Sequence, residues 1–335
     1  MLELYLPIIW AVLIAAAVML YVILDGFDLG IGILFPTARK EEERDQMMNS
    51  IAPFWDGNET WLILGGGGLW VAFPKAYAVI MPAFYLPVIV MLLSLIFRGV
   101  SFEFRFVSKP NHRFWDFAFW AGSTLAAFSQ GVILGGLIQG VTVVDGKFAG
   151  GTFDWATPFA LLSGVGLVIG YALLGAGWLI FKTEGPVQDR ARNQARMLVI
   201  AVLVAIAAVS LWTPITTPRI AERWFEQPNI FFLWPVPLIT AALGYLAWQG
   251  LERERELQPF VASVGLFVLA YLGLAISTFP YLVPPTLTVW DTAAVPDSQI
   301  FTLIGTVIML PIILGYFAFV FWTFRAKVTP EGGYH

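Results

Sequence analysis

Residues 6–35 read LPIIWAVLIAAAVMLYVILDGFDLGIGILF, a stretch whose only charges are Asp25 and Asp28. It is longer than the ~20 apolar residues that cross a bilayer core, so lipid rather than water is the solvent this chain is built for. Eight further apolar runs follow between polar or proline-rich breaks. The nine predicted helices are Leu6–Phe35, Trp55–Pro74, Ala76–Phe97, Trp115–Gly140, Thr157–Phe181, Met197–Pro214, Ile230–Gln249, Phe260–Val283 and Ser298–Phe324. The second and third are separated only by Phe73-Pro74-Lys75. At 1.5 Å per residue the first and last runs exceed a ~30 Å core and must tilt or protrude.

Composition agrees. Of 335 residues, 58% are hydrophobic and 13% charged, about half the roughly 25% charge of a soluble globular chain. The expectation is an all-α integral membrane protein, one polytopic domain over residues 1–335, whose extramembrane pieces are about 15–20 residues each. No repeat is visible at the level of residue identity. The N-terminal run does not read as a cleavable signal peptide, because the first basic residue is Arg39 and the apolar run is too long.

The 19 basic residues set the orientation. Fifteen follow odd-numbered spans: Arg39, Lys40 and Arg44; Arg98, Arg105, Lys109 and Arg113; Lys182, Arg190, Arg192 and Arg196; Arg253 and Arg255; Arg325 and Lys327. Only Lys75, Lys147, Arg219 and Arg223 fall on the other side. Basic residues stay cytoplasmic, which places the N-terminus outside and the C-terminus inside. The charge-dense segments Arg39–Asp45 and Glu252–Glu256 read as solvated cytoplasmic turns or surface helices.

Several chemistries are excluded. With no cysteine, the chain holds no disulfide, zinc–thiolate site or iron–sulfur cluster of its own. Its two histidines, His112 and His335, lie outside the apolar runs, so a membrane haem has no axial His here, and Met19, Met81, Met91, Met197 and Met309 read as core filling. A net charge of −4 carries no nucleic-acid footprint.

The informative residues are carboxylates inside the bilayer, each costing about 2.5–3.5 kcal/mol on insertion scales. Asp25 and Asp28, three apart, share one helix face near the cytoplasmic end of the first span. Asp56 and Glu59 repeat the spacing at the start of the second, so four carboxylates converge near the inner edge if the two helices are neighbours. Three accounts compete. Asp56 and Glu59 complement the positive end of their helix; Arg98, ending the third span, pairs with the aspartates; or the four form a path for protons or cations. Only the last covers all four. Asp291 reads as a loop carboxylate capping a turn. Glu103 and Arg105 read as part of a cytoplasmic charge network. Gly65–Gly68 read as close helix packing, and Trp55, Trp61, Trp115, Trp212, Trp234 and Trp322 as an interfacial belt.

Asp25-Gly26-Phe27-Asp28-Leu29-Gly30, followed by Ser50-Ile51-Ala52-Pro53-Phe54-Trp55-Asp56-Gly57-Asn58-Glu59-Thr60-Trp61-Leu62, resembles subunit II of the bd-type quinol oxidases. Phe97-Arg98-Gly99-Val100-Ser101-Phe102-Glu103 and Trp290-Asp291 extend the likeness, which covers essentially the whole chain. The Gly-Asn-Glu-Thr-Trp wording and the four-glycine run are more similar to the cyanide-insensitive branch.

The resemblance implies two four-helix bundles plus a peripheral helix in the bacterial cytoplasmic (inner) membrane. It implies a partner subunit I carrying two b haems and one d-type haem, with room for a small accessory subunit. It implies a complex that oxidises quinol from the quinone pool and reduces O2 to water. Such turnover is electrogenic without pumping, since protons are taken from inside and quinol releases its own outside. Asp56 would then be the proton-uptake carboxylate, with Asp25, Asp28 and Glu59 alongside and Arg98 as charge partner. Many relatives carry a His before the Trp-Asp pair; here Phe54 stands there, so a relay through that His is absent or displaced. The competing class is a proton- or cation-coupled transporter using the same carboxylates. The lack of a repeat and of paired broken helices counts against it.

Overall fold

The structure, a computed structural model, describes residues 2–108 and 112–329; Lys109 and His335 lie outside them. Prolines begin many of its helices, because the first-turn N–H that proline lacks has no intrahelical partner anyway. The helices are α1 (Leu2–Leu34), α2 (Glu41–Asn49), α3 (Trp55–Ala72), α4 (Pro74–Ala83), α5 (Tyr85–Val107), α6 (Arg113–Gln139) and α7 (Pro158–Lys182). They continue with α8 (Pro186–Thr216), α9 (Pro218–Phe225), α10 (Asn229–Leu233), α11 (Pro235–Glu252), α12 (Leu257–Thr278), α13 (Val289–Thr292) and α14 (Pro296–Thr323). Two small antiparallel hairpins pair Val143–Val144 with Lys147–Phe148 and Tyr281–Val283 with Leu287–Thr288.

Among the described residues, eight helical stretches are long and apolar enough to cross a membrane: α1, α5, α6, α7, α8, α10–α11, α12 and α14. Helix α3 is not one of them. Its 18 residues include Asp56, Asn58, Glu59 and five glycines, which dilute its hydropathy although it lies along α1.

The predicted third span, Ala76–Phe97, needs correction. The break at Phe73 is real, but a second one follows at Phe84, whose backbone (φ −118°, ψ 22°) ends α4 after ten residues. The long helix is α5, so the crossing segment lies about ten residues further along the chain. Pro82 and Pro87 flank the break, and a ring without N–H is tolerated in the first turn of the new helix. Arg98 therefore lies inside a helix rather than at the end of one.

Helix α1 is the axis of the fold and packs on α3, α6, α7 and α14. At Gly30 its backbone meets that of α7: a Cβ there would stand 1.9 Å from the Tyr171 carbonyl oxygen, so only glycine permits this approach. Helices α7, α8, α11 and α12 pack in a closed ring, and α5 packs on α6, which joins the ring through α7. The four-glycine run stays helical. A Cβ on Gly65 or Gly68 would press on Val18 or Ile14 of α1, whereas Gly66 and Gly67 face open space.

At the end where α3 gives way to α4, the hairpins and α13 close over α4. Gln299 donates to the Ala72 carbonyl at 2.9 Å, and the Trp10 indole donates to the Gln299 carbonyl at 3.2 Å. Asp291 caps α13: its carboxylate accepts from the Thr288 backbone N–H (2.9 Å) and hydroxyl (2.6 Å), which hold it below the usual carboxylate range.

At the opposite end, the segment after α14 is strapped down. Buried Lys182 donates to the carbonyls of Phe324 (2.5 Å) and Ala326 (2.6 Å). The Val328 N–H returns a bond to the Lys182 carbonyl at 2.8 Å, and Gln46 of α2 donates to the Val328 carbonyl at 2.8 Å. Lys327 pairs with Glu256 at 2.5 Å and holds that carboxyl below its ordinary range.

Helix α2 is fastened by Glu43, which accepts from Arg190 at 2.8 Å and from the Arg39 N–H at 2.7 Å. The Arg190 hydrogen bond is the chief reason its carboxyl sits at about 2 instead of 4.5. The stabilisation is complete above the ordinary value and is lost as pH falls through about 2. Amide exchange in α2 should therefore accelerate with acid across that window beyond its intrinsic pH dependence. Glu43→Gln should remove the extra acid sensitivity; an unchanged profile in that variant would assign it to another group.

Candidate functional site

Arg98, Asp25 and Asp28 are fully buried, with 0% exposure each. One guanidinium faces three carboxylates: Nη1 is 2.8 Å from Asp25 Oδ1, Nη2 is 3.7 Å from Asp28 Oδ2, and Nη1 is 3.7 Å from Glu59 Oε2. Three elements build this arrangement. Helix α1 presents both aspartates from one face, α3 brings Glu59 as its antiparallel neighbour, and α5 delivers Arg98. Gly122 of α6 lets α5 sit close, because a Cβ there would be 2.6 Å from the Ser94 carbonyl and 3.3 Å from Arg98 Cβ. Asn58 Nδ2 donates to Asp28 Oδ2 at 2.8 Å and to the Leu24 carbonyl at 3.3 Å.

Glu59 keeps 27% side-chain exposure and is the partly open member of the cluster. Asp56, one turn nearer the start of α3, is exposed. It does not join the ion cluster, although its charge acts on Glu59. The four predicted carboxylates thus divide into three around Arg98 and one at the approach. Arg98 engages through charge more than through aligned hydrogen bonds. Among the described residues, its three nitrogens, both Asp25 oxygens, Asp28 Oδ1 and Asn58 Oδ1 complete none of good geometry. At such separations an ion pair is worth about 4 kcal/mol in a partly screened protein setting, a gain that the mutual repulsion of three carboxylates around one cation offsets.

A second network lies nearer the surface. Arg105, 1% exposed, contacts Glu41, Asp45 and Asp116, the last at 2.6 Å. Arg44 adds contacts to Glu41 (3.3 Å) and Asp116 (3.8 Å), and His112 lies 3.5 Å from Glu41. Arg105 belongs to a charge network as expected, but Glu103 is exposed and takes no part in it among the described residues. This network ties α2 to α5 and α6. Among the described residues no group of three or more His, Cys, Asp or Glu side chains is placed to hold a metal ion.

The sequence profile of the family "Cytochrome bd terminal oxidase subunit II" matches residues 6–324. The chain belongs to this family. It is 31% identical to "Cytochrome bd-I ubiquinol oxidase subunit 2" of Escherichia coli K12, across 97% of this chain and 96% of that one. It is 28% identical to "Cytochrome bd ubiquinol oxidase subunit 2" of Bacillus subtilis 168, across 96% of each. The fold matches a chain of the Geobacillus thermodenitrificans bd oxidase with a TM-score of 0.78, covering 95% of this chain and 98% of that one at 16% identity.

For a member of the bd oxidase subunit II family, the cluster accounts for Asp25, Asp28, Glu59 and Arg98 together. Asn58, Tyr21 and Gln130 were not singled out from the sequence. Asn58 stands inside the quoted motif, and Tyr21 lies one helical turn before Asp25; a polar residue at that spacing in an apolar run was the available signal. Trp61 is not part of an interfacial belt. It is 3% exposed and packs its ring against Phe317 of α14 at 5.4 Å.

Proposed function

We propose that this chain is the haem-free second subunit of a quinol-oxidising, O2-reducing terminal oxidase, and that it supplies a path for protons taken from the cytoplasm. Family membership supports the oxidase assignment and disfavours the transporter. The observation that carries the proton path is the buried Arg98 cluster, reached from exposed Asp56 through half-open Glu59.

In this reading the nine long helices α1, α3, α5–α8, α11, α12 and α14 all cross the membrane, with the N-terminus outside. Helices α1, α3, α5 and α6 form one four-helix bundle, α7, α8, α11 and α12 the second, and α14 is peripheral. The subunit sits in the bacterial inner membrane beside a haem-bearing subunit I, which holds two b haems and a d-type haem and draws on the quinone pool. A small accessory subunit fits the same assembly. No spanning helix here contains a histidine, so every haem ligand is assigned to the partner.

The chain's own chemistry is proton handling. Three carboxylates around one guanidinium in a closed site cannot all stay ionised at low cost. The cluster therefore holds a proton that several oxygens share, and Arg98 keeps those oxygens within exchange distance. Asp56 collects protons at the surface, Glu59 passes them inward to Asp28, and Asp25 shapes the field of the relay. Asn58 fixes the Asp28 oxygen at the α1–α3 contact.

Asp56→Asn should slow quinol-driven O2 consumption while leaving the optical spectrum of the complex intact. Glu59 is itself 27% open, so the loss should fall short of the ~10²-fold typical of a positioned acid–base group. Full turnover in the variant would remove Asp56 from the path.

A further inference from the structure

A polar chain joins α1, α6 and α7 one helical turn before Asp25. Gln130 of α6 donates from Nε2 to the Tyr21 hydroxyl of α1 at 2.8 Å, and the Tyr171 hydroxyl of α7 donates to Gln130 Oε1 at 2.8 Å. Tyr21 and Tyr171 are 2% and 0% exposed. Tyr21 stands one turn before Asp25, on the same face of α1.

The direction of the chain follows from the chemistry of its ends. An amide nitrogen only donates and an amide oxygen only accepts, so turning Gln130 over would require the Tyr21 proton for the amide oxygen. A carboxylate is the stronger acceptor. Tyr21 accepts from Gln130 Nε2 and Gln130 Oε1 accepts from the Tyr171 hydroxyl, which leaves the Tyr21 proton uncommitted and free for the Asp25 carboxylate one turn along the same face. The far end is fixed in place: the Tyr171 ring stacks on Phe267 at 5.7 Å and leaves Gly26 no room for a Cβ, which would stand 2.8 Å away.

The three acids are therefore not equivalent. Asp25 has a guanidinium nitrogen at 2.8 Å and, one helical turn away, a phenol whose oxygen is already supplied with a proton by Gln130, which Tyr171 backs in turn. Asp28 has the neutral Asn58 amide and a guanidinium nitrogen at 3.7 Å. Glu59 has a guanidinium nitrogen at 3.7 Å. We propose that Tyr21, Gln130 and Tyr171 are positioning residues that hold Asp25 as the fixed anionic partner of Arg98, so that the exchangeable proton of the cluster resides on Glu59 and Asp28. The proposal deepens the proton-path reading and rests on it for its part in turnover, though not for the charge states themselves. In this scheme Asp25 anchors the guanidinium and the other two carboxylates do the exchanging.

Infrared difference spectroscopy of the intact complex in H2O and D2O reads these states, because a protonated carboxyl group has a C=O stretch set apart from the amide and carboxylate bands, and that stretch shifts in D2O. The wild-type complex should show such a band that is lost in Glu59→Gln or Asp28→Asn and kept in Asp25→Asn. Tyr21→Phe should add a second band, with the intensity of one carboxyl group, that disappears when Asp25→Asn is combined with it. Gln130→Leu breaks the chain while leaving Tyr21 in place and should produce the same added band, which keeps the test decisive if the tyrosine variant does not assemble. Loss of the wild-type band in Asp25→Asn, or Tyr21→Phe and Gln130→Leu spectra identical to wild type, would overturn the assignment. Wild-type turnover of Asp56→Asn alongside the expected infrared pattern would instead fail the proton-path reading alone.

Discussion

Arg98→Met should leave little assembled oxidase. The substitution keeps much of the side-chain volume but strands Asp25 and Asp28, both fully buried, with no cation among them. Removing one partner of a buried ion pair costs about 3–5 kcal/mol, a large share of the roughly 5–15 kcal/mol that holds a typical domain together. The yield of coloured complex and its thermal inactivation rate report the loss. Adding Asp25→Asn should recover part of it, since one stranded charge is then gone and the two positions share the same interaction. An Arg98→Met complex as abundant and durable as wild type would mean that the carboxylates are neutral without the guanidinium and that the cluster is not an ion pair.

Glu59→Gln is the counterpart that spares the fold. The amide is isosteric, the side chain is 27% exposed, and Arg98 retains Asp25 and Asp28. What disappears is the titratable group that, in the proposed path, stands between exposed Asp56 and the buried aspartates. Quinol-saturated O2 consumption should fall by ~10²-fold or more, the range of a positioned acid–base group, with an unchanged optical spectrum. Glu59→Asp should restore part of the rate, because it keeps the chemistry and shortens the reach. Turnover at the wild-type rate in Glu59→Gln would route the proton elsewhere.

What was legible in the sequence, and what was not, can be traced to particular residues. Asp25, Asp28 and Glu59 were visible because a charge in an apolar run has a physical cost that calls for a partner. The position of Arg98 was misjudged because basic residues ordinarily mark the ends of spans, and a fully buried arginine inside one looks the same in sequence. The break at Phe84 was hidden for a related reason: Pro82 and Pro87 sit in uninterrupted apolar sequence, where hydropathy cannot separate a ten-residue helix from the start of the next. Tyr21, Gln130 and Tyr171 come from three helices far apart in the chain, so only the packing of α1, α6 and α7 joins them. Asp56 shows the reverse. It shares a motif with Glu59, but the helical turn between them separates an exposed carboxylate from a half-buried one.

The strap behind α14 has a consequence for how the chain is made and handled. Between Pro296 and Thr323 only Gln299 is buried, and the helix holds on through partly exposed rings, Phe317 against Trp61 and Phe321 against Phe54. Its C-terminal end is secured by carbonyls that emerge from the ribosome later, at Phe324, Ala326 and Val328. The latch that finishes seating this helix therefore closes only after synthesis has passed position 328. A purification tag that replaces residues 324–328 removes the latch, whereas one appended beyond residue 329 leaves it intact.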